Sequence, residues 1–399
     1  MENQIANNRL ISSIYDLFFG RRWKVKTSFL CCFLCLLLNN PDYYSFCSHT
    51  SFHPEFKDFE YNWTALYQQI QDPFSVHLHK ITSHQSKRTF RLTPIFLGKI
   101  SPFKTALGKI ITLFAIQHLL GLLFFYLFAH LIYSITKDAL FSFLCTLGTS
   151  LFYLGNAFFW DTYGWFDGFA YFLLLAGMIG IVNKKYFLTF ILLSFAYWTD
   201  ERAIIISPCL LLWDLMYHYN FPQNKDSIKI SPFAILYPFS LMIYISARQF
   251  LSFTYDMHTP MGFNALVGPK MILINMQAMP FSLIGVFEGY WIFIIRLGFL
   301  LFKDRNLKLL LTLGIIFSAS TIISYCVIDV TRSMTYTFPL LIIAMFWCYK
   351  SRGSENLNKL SFLATCVSFI VPDLFFLGKS PVVMFNYFQL KTLLGGLFS

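Results

Sequence analysis

The sequence predicts an all-α integral membrane protein with about ten or eleven transmembrane helices. Three observations predict this. The 399 residues are 56% hydrophobic and 13% charged, whereas soluble domains carry about 25% charged residues. Phe fills 48 positions and Tyr 22, more apolar surface than a soluble chain of this size can bury while covering itself with polar groups. Apolar runs recur along the chain with short charged turns between them. A bilayer accommodates such a chain because lipid is itself an apolar solvent.

The first apolar run, 25–40, follows Arg21, Arg22, Lys24 and Lys26, the charge pattern of a signal peptide. Asn39-Asn40-Pro41-Asp42 comes next, with no small-x-small cleavage pattern, so the run is read as an uncleaved first span. Residues 1–24 then form a cytoplasmic arm, and 25–399 a single polytopic membrane domain. The polar stretch 41–109 becomes a long, partly helical first extracytoplasmic loop. Further spans are predicted near 110–133, 139–156, 168–182, 186–199, 203–218, 231–250, 281–302, 309–326, 336–349 and 360–378. Several fall short of the ~20 residues that a straight crossing needs.

Charge orients this array. With the N-terminus in the cytoplasm, the cytoplasmic arm and loops hold sixteen Lys and Arg, and the opposite short loops hold only Arg202, Lys270 and Arg332. The acids do the reverse. Asp161, Asp167, Asp200, Glu201, Asp256 and Asp329 fall in the outer short loops, and Asp42, Glu55, Asp58, Glu60 and Asp72 in the long one. The net charge of +11 is scattered singly at span ends, which argues for membrane orientation and against a nucleic-acid partner. Eight of the nine cysteines lie in apolar runs and read as buried small side chains rather than a disulfide framework.

The outer segments hold the candidate chemistry. Asp58 and Glu60, at i and i+2, can both reach one substrate hydroxyl or one divalent ion, the only cofactor class the sequence suggests. Asp42 stands directly after the first span. Arg88 and Arg91 open a basic, apolar stretch up to Lys109, an interfacial composition that suits an anionic lipid, and paired guanidiniums can clamp a phosphate. Asp161 and Asp167 lie among Phe158, Phe159, Trp160, Tyr163, Trp165 and Phe166; aromatic faces stack on sugar rings and carboxylates accept hydroxyl protons. Asp200-Glu201-Arg202 separates two apolar segments without Gly, Asn or Pro, the ordinary turn formers, and charges so near hydrocarbon are costly. Asp329 and Arg332 complete the outer set. Arg248 and Glu288 sit near outer span ends, and Glu288 is expected to face the same cavity. The histidines lack metal-site spacing, and no P-loop, G-x-S-x-G or H-E-x-x-H occurs.

In layout the chain resembles the GT-C superfamily of membrane glycosyltransferases: a cytoplasmic N-terminus, many spans and a long first outer loop with acids near its start. The resemblance implies transfer of a sugar from a polyprenyl-phosphate donor to a glycan, lipid or protein acceptor on the extracytoplasmic face, in a bacterial inner membrane. It carries over Asp58, Glu60 and Asp42 as catalytic candidates, with Asp58 the base. Arg88, Arg91, Asp161, Asp167, Asp200, Glu201, Arg202, Asp329 and Arg332 become substrate-binding candidates. The chain departs from the pattern in having no strict Asp-x-Asp directly after the first span. An O-antigen-type polymerase or ligase and a transporter or flippase are the competing readings.

Overall fold

The computed structural model describes residues 19–39, 60–74, 88–161, 164–219, 231–259, 266–352, 355–370 and 374–383. Apolar runs set the helices, and side-chain caps or left-handed residues bound several of them. The longest, Ala106–Thr136, starts at Thr105, whose hydroxyl accepts from Gly108 N (3.1 Å), and ends at Lys137 with φ 57°. Asp138 then caps the next helix by accepting from Phe141 N (2.9 Å).

In chain order the helices are α1 Trp23–Asn39, α2 Glu60–Gln71, α3 Leu92–Lys99, α4 Ala106–Thr136, α5 Ala139–Thr149, α6 Tyr153–Asn156, α7 Asp167–Val182, α8 Tyr186–Tyr197 and α9 Arg202–Ile206. They continue with α10 Pro208–His218, α11 Pro232–Tyr255, α12 Pro269–Asn275, α13 Phe281–Phe287, α14 Trp291–Lys303, α15 Leu307–Tyr325, α16 Val330–Thr335, α17 Phe338–Arg352 and α18 Glu355–Ile370. A two-stranded antiparallel hairpin follows, β1 Leu374–Leu377 with β2 Ser380–Val383, Leu374 opposite Val383. The predicted last span, 360–378, is corrected by this: the described helix runs to Ile370, and Leu374–Leu377 pair as a strand.

The class is all-α apart from that hairpin. Among the described residues four helices are long and apolar enough to cross a membrane: Ala106–Thr136, Pro232–Tyr255, Phe281–Lys303 and Leu307–Tyr325. Several predicted spans are shorter or broken, and Phe281–Lys303 itself carries a 3-10 turn. Ser207-Pro208 separates α9 from α10, because proline supplies no N–H to continue the ladder. Glu288 and Gly289 interrupt α13–α14 with a 3-10 turn. Gly289 is required there, since a Cβ would strike the Ala364 carbonyl of α18.

The core is aromatic. Phe124, Phe125, Phe128, Phe141, Phe152, Tyr171, Tyr290 and Phe293 are fully buried where α4, α5, α7, α14 and α17 meet. α1 joins them through Cys31 and Cys35, whose thiols reach the Thr146 and Ser150 carbonyls (3.6 and 3.4 Å). The perimeter is also apolar: Phe253 is 94% exposed, and Phe187, Ile295, Ile315 and Phe369 are exposed too. An apolar surface of this kind is costly in water and costs nothing in lipid. Four spanning-length apolar helices and this perimeter give the chain the character of a membrane protein.

Candidate functional site

Charged residues converge where five segments meet: the start of α3, the 157–166 loop, the first turn of α7, the α8–α9 turn and α16. The α7–α8 pair explains part of this. α7 leaves at Asp167 and α8 returns to Asp200, so both carboxylates stand at one end and Lys184-Lys185 at the other. Phe166, at φ 58°, swings the loop so that Asp167 enters the helix pointing inward. The first loop supplies Arg91. α2 and α3 dock on α4 through Trp63, Leu66, Ile70, Ile95 and Leu113, and Gln69 Nε2 holds the turn before α3 by donating to the Arg88 and Thr89 carbonyls (3.3 and 2.9 Å).

Arg202 lies at the centre. Its Nε and Nη2 donate to the two oxygens of Asp200 (both 2.7 Å), Nη2 also reaches Asp167 Oδ1 (3.0 Å), and Nη1 donates to Ser333 Oγ (2.7 Å). Its guanidinium lies 4.7 Å over the Tyr336 ring. Arg91 pairs with Asp200 from the other side (2.6 Å) and donates to the Trp165 carbonyl (2.9 Å). Arg332 pairs with Asp167 Oδ2 through Nε (2.7 Å) and with Asp329 through Nη1 (3.0 Å), and stacks 4.5 Å over Trp165. Asp167 accepts further from Tyr336 Oη (2.9 Å) and Tyr153 Oη (3.3 Å). Asp161 accepts from the Phe166 and Trp165 amides (2.7 and 3.2 Å). Asp161, Asp167 and Asp200 are almost fully buried. Charge is balanced: Asp161, Asp167, Asp200 and Asp329 face Arg91, Arg202, Arg332 and the half-buried Arg88.

Burial alone would push the Asp200 carboxyl up, but Arg202 and Arg91 outweigh it and hold it well below the usual range. Asp161 goes the other way, raised by burial and by Asp167 against the two backbone amides and Arg332. Arg88 is lowered by burial and by Arg91, against the pull of Asp161. This is the behaviour of a closed, low-dielectric charge cluster.

Glu201 stands outside the cluster. It is 48% exposed and pairs with Arg248 (2.6 Å), which also donates to Tyr244 Oη (2.8 Å) and lies 4.2 Å over Phe90. Glu288 is buried at the α13–α14 break, against α18. Asp42 and Asp58 lie outside the described residues, and of Glu60 the structure describes only its place at the start of α2. Among the described residues no group of three or more His, Cys, Asp or Glu is placed to hold a metal ion. Sequence reasoning missed Tyr336 and Tyr153, polar groups inside or beside apolar runs with no local signal to set them apart.

Beside the cluster runs an apolar groove of about 740 Å³ between α3, α4, α7, α8 and α11, lined by Leu92, Phe96, Leu120, Phe172, Trp198 and Phe250 among others. Phe96, Ile100 and Phe250 are exposed along it, so it opens sideways, toward the apolar perimeter. Thr93 ties its wall to the charged turn: Thr93 N donates to the Trp198 carbonyl (3.0 Å) and Thr93 Oγ1 to that of Phe195 (2.7 Å). Arg91 and Asp200 thus lie one and two residues along the chain from the groove-lining Leu92 and Trp198. No protein-family model, curated protein or solved structure matches the chain.

Proposed function

We propose that this chain is an integral membrane glycosyltransferase that takes a sugar from a polyprenyl-phosphate donor on the extracytoplasmic face of a bacterial plasma membrane, with its N-terminus in the cytoplasm. The observation that carries the proposal is that the apolar groove and the guanidinium cluster share elements: Leu92 and Trp198 line the groove, and their chain neighbours Arg91 and Asp200 are ion-paired within the cluster that holds Arg202 and Arg332. A ligand that fits both is an amphiphile with a long apolar chain and an anionic head. Such a chain lies in the groove and its phosphate meets the arginines.

The reaction is a single displacement at the anomeric carbon. The acceptor oxygen bonds to that carbon as its hydroxyl proton passes to an outer-loop carboxylate, Asp58, with Glu60 and Asp42 the alternative candidates. The bond to the phosphate oxygen breaks, and the lipid phosphate leaves with the electron pair, steadied by Arg88, Arg91 or Arg332. In proteoliposomes supplied with a lipid-linked sugar, Asp58→Asn abolishes transfer while the protein still inserts. Full activity in that variant removes Asp58 from the site. Reporter fusions after Arg202 and Arg332 both report the extracytoplasmic side; a cytoplasmic signal from either rejects the orientation.

A transporter is the second reading, favoured by the helix breaks at Ser207-Pro208 and Glu288-Gly289, since interrupted helices line substrate paths in transporters. Uptake of a lipid-linked or soluble sugar into vesicles with no bond formed decides for it.

A further inference from the structure

The C-terminal hairpin inserts one side chain into an aromatic box beside the charge cluster. Phe375, fully buried, packs on Tyr153 (ring centroids 5.4 Å), Trp160 (5.6 Å) and Trp165 (6.1 Å, nearly parallel at 14°). The box has polar surroundings. Tyr153 donates to Asp167, the Trp165 ring carries the Arg332 guanidinium at 4.5 Å, and Asp161 is held by the backbone of Trp165 and Phe166. Gln117, which donates to the Asp161 carbonyl (3.2 Å), has no hydrogen-bond partner for its buried Oε1 among the described residues. A phenyl ring fills the aromatic part of this box and can satisfy none of the polar part. A pyranose ring does both: its CH face stacks on an aromatic ring and its hydroxyls pair with carboxylate, amide and guanidinium.

The hairpin is suited to leave. Two strands of four residues are marginal alone. Its backbone is attached by Phe376 N to Thr331 Oγ1 (3.1 Å) and by Gly378 N to the Ile328 carbonyl (2.8 Å), while Lys379, Ser380 and Pro381 are exposed. We infer that Tyr153, Trp160 and Trp165, with Asp161, Asp167 and Arg332, form a sugar-ring subsite, and that Phe375 occupies it when no sugar is bound. The inference rests on the glycosyltransferase reading and adds to it where a sugar unit sits and what must move to admit it.

The test uses the full-length protein in nanodiscs with maltotriose and chitotriose as soluble probes, and calorimetry as the readout. Phe375→Ala binds at least one probe about tenfold more tightly than the native protein. A disulfide between Thr331→Cys and Phe376→Cys, whose backbone and side chain already touch, abolishes binding when oxidised, and dithiothreitol restores it. Equal affinity in oxidised and reduced forms overturns the inference, as does a folded Phe375→Ala variant with native affinity or the absence of glycan binding in every form. Where Phe375→Ala does not fold, the disulfide pair decides alone. The two proposals fail separately. Hairpin-dependent glycan binding without transfer from any lipid-linked sugar sinks the transferase and keeps the subsite, whereas transfer at equal rates in the oxidised and reduced pair does the reverse.

Discussion

Arg202→Met tests whether the charge cluster is a closed structural unit. The side chain makes four polar contacts: two to Asp200, one to Asp167 and one to Ser333. Methionine keeps much of the volume and none of these. Asp200 keeps Arg91 and Asp167 keeps Arg332, so neither carboxylate is wholly abandoned, but the cluster becomes one positive charge short in a buried setting. Breaking a buried pair from one side costs about 3–5 kcal/mol, and the expected loss lies in that range. Arg202→Lys keeps the charge but cannot fork across Asp200 while reaching Ser333 and Asp167. It forfeits one to two charge-assisted hydrogen bonds, about 2 kcal/mol. The neighbouring Glu201→Gln is the control: its partner Arg248 is also at the rim and Glu201 is 48% exposed, so the change is below about 1 kcal/mol. Denaturant unfolding of the detergent-solubilised protein gives all three values. An Arg202→Met loss no greater than that of Glu201→Gln would show that water screens the cluster, and would refute the argument from burial.

The pH dependence follows from the two carboxylates with opposite shifts. Asp200 is depressed below its unfolded value of about 3.9, so its stabilisation is present above that pH and is lost as the medium is acidified below it. Asp161 is raised, so its contribution is full below about pH 3.9 and is lost as pH rises through its folded value; Asp161→Asn flattens that second slope in unfolding midpoints taken from pH 3 to 7 on the usual scale. Gly148→Ala sets a Cβ against the ring and hydroxyl of Tyr290, which is pinned by the Leu144 carbonyl (2.7 Å) and Thr365 (2.8 Å); the overpacking costs about 1–3 kcal/mol in the same assay, and a neutral result contradicts the packing of α5 on Tyr290. Leu173→Trp narrows the apolar groove and raises KM for a lipid-linked donor about tenfold, or 1.4 kcal/mol, with kcat unchanged; an unaltered KM takes the lipid chain out of the groove.

Hydropathy and charge made the helical class and the gathering of acids legible, because both are properties of composition by segment. The pairing was not. Asp167 meets Arg202 across 35 residues and Tyr336 across 169, and nothing local marks those partners. The helix breaks were hidden for another reason. Hydropathy averages over Ser207-Pro208 and Glu288-Gly289 without regard to backbone hydrogen bonding, so runs that read as single spans are two short helices each. The C-terminal strand was misread because Leu374–Leu377 is four apolar residues, a pattern without period that fits either a helix end or a buried strand. Gly378 in the turn, at φ +59°, was the available signal.

The cluster can be both a structural clamp and a binding site because its members are not equivalent. Asp167 is 1% exposed and receives Arg202, Arg332, Tyr153 and Tyr336, and Asp200 is gripped by two arginines. Removing either uncovers several partners at once. Asp329 is different: its side chain is 11% exposed and, among the described residues, its one ion pair is the 3.0 Å contact with Arg332 Nη1. An incoming phosphate that displaces Asp329 gains a guanidinium already oriented by Asp167 and Trp165, and leaves the inner pairs intact. On the proposed reading Asp200 is therefore a positioning residue, and the exchangeable valence of Arg332 is where the anion competes. On that reading, the preorganisation that would suit Arg332 to a phosphate is the same burial that makes Arg202 costly to remove.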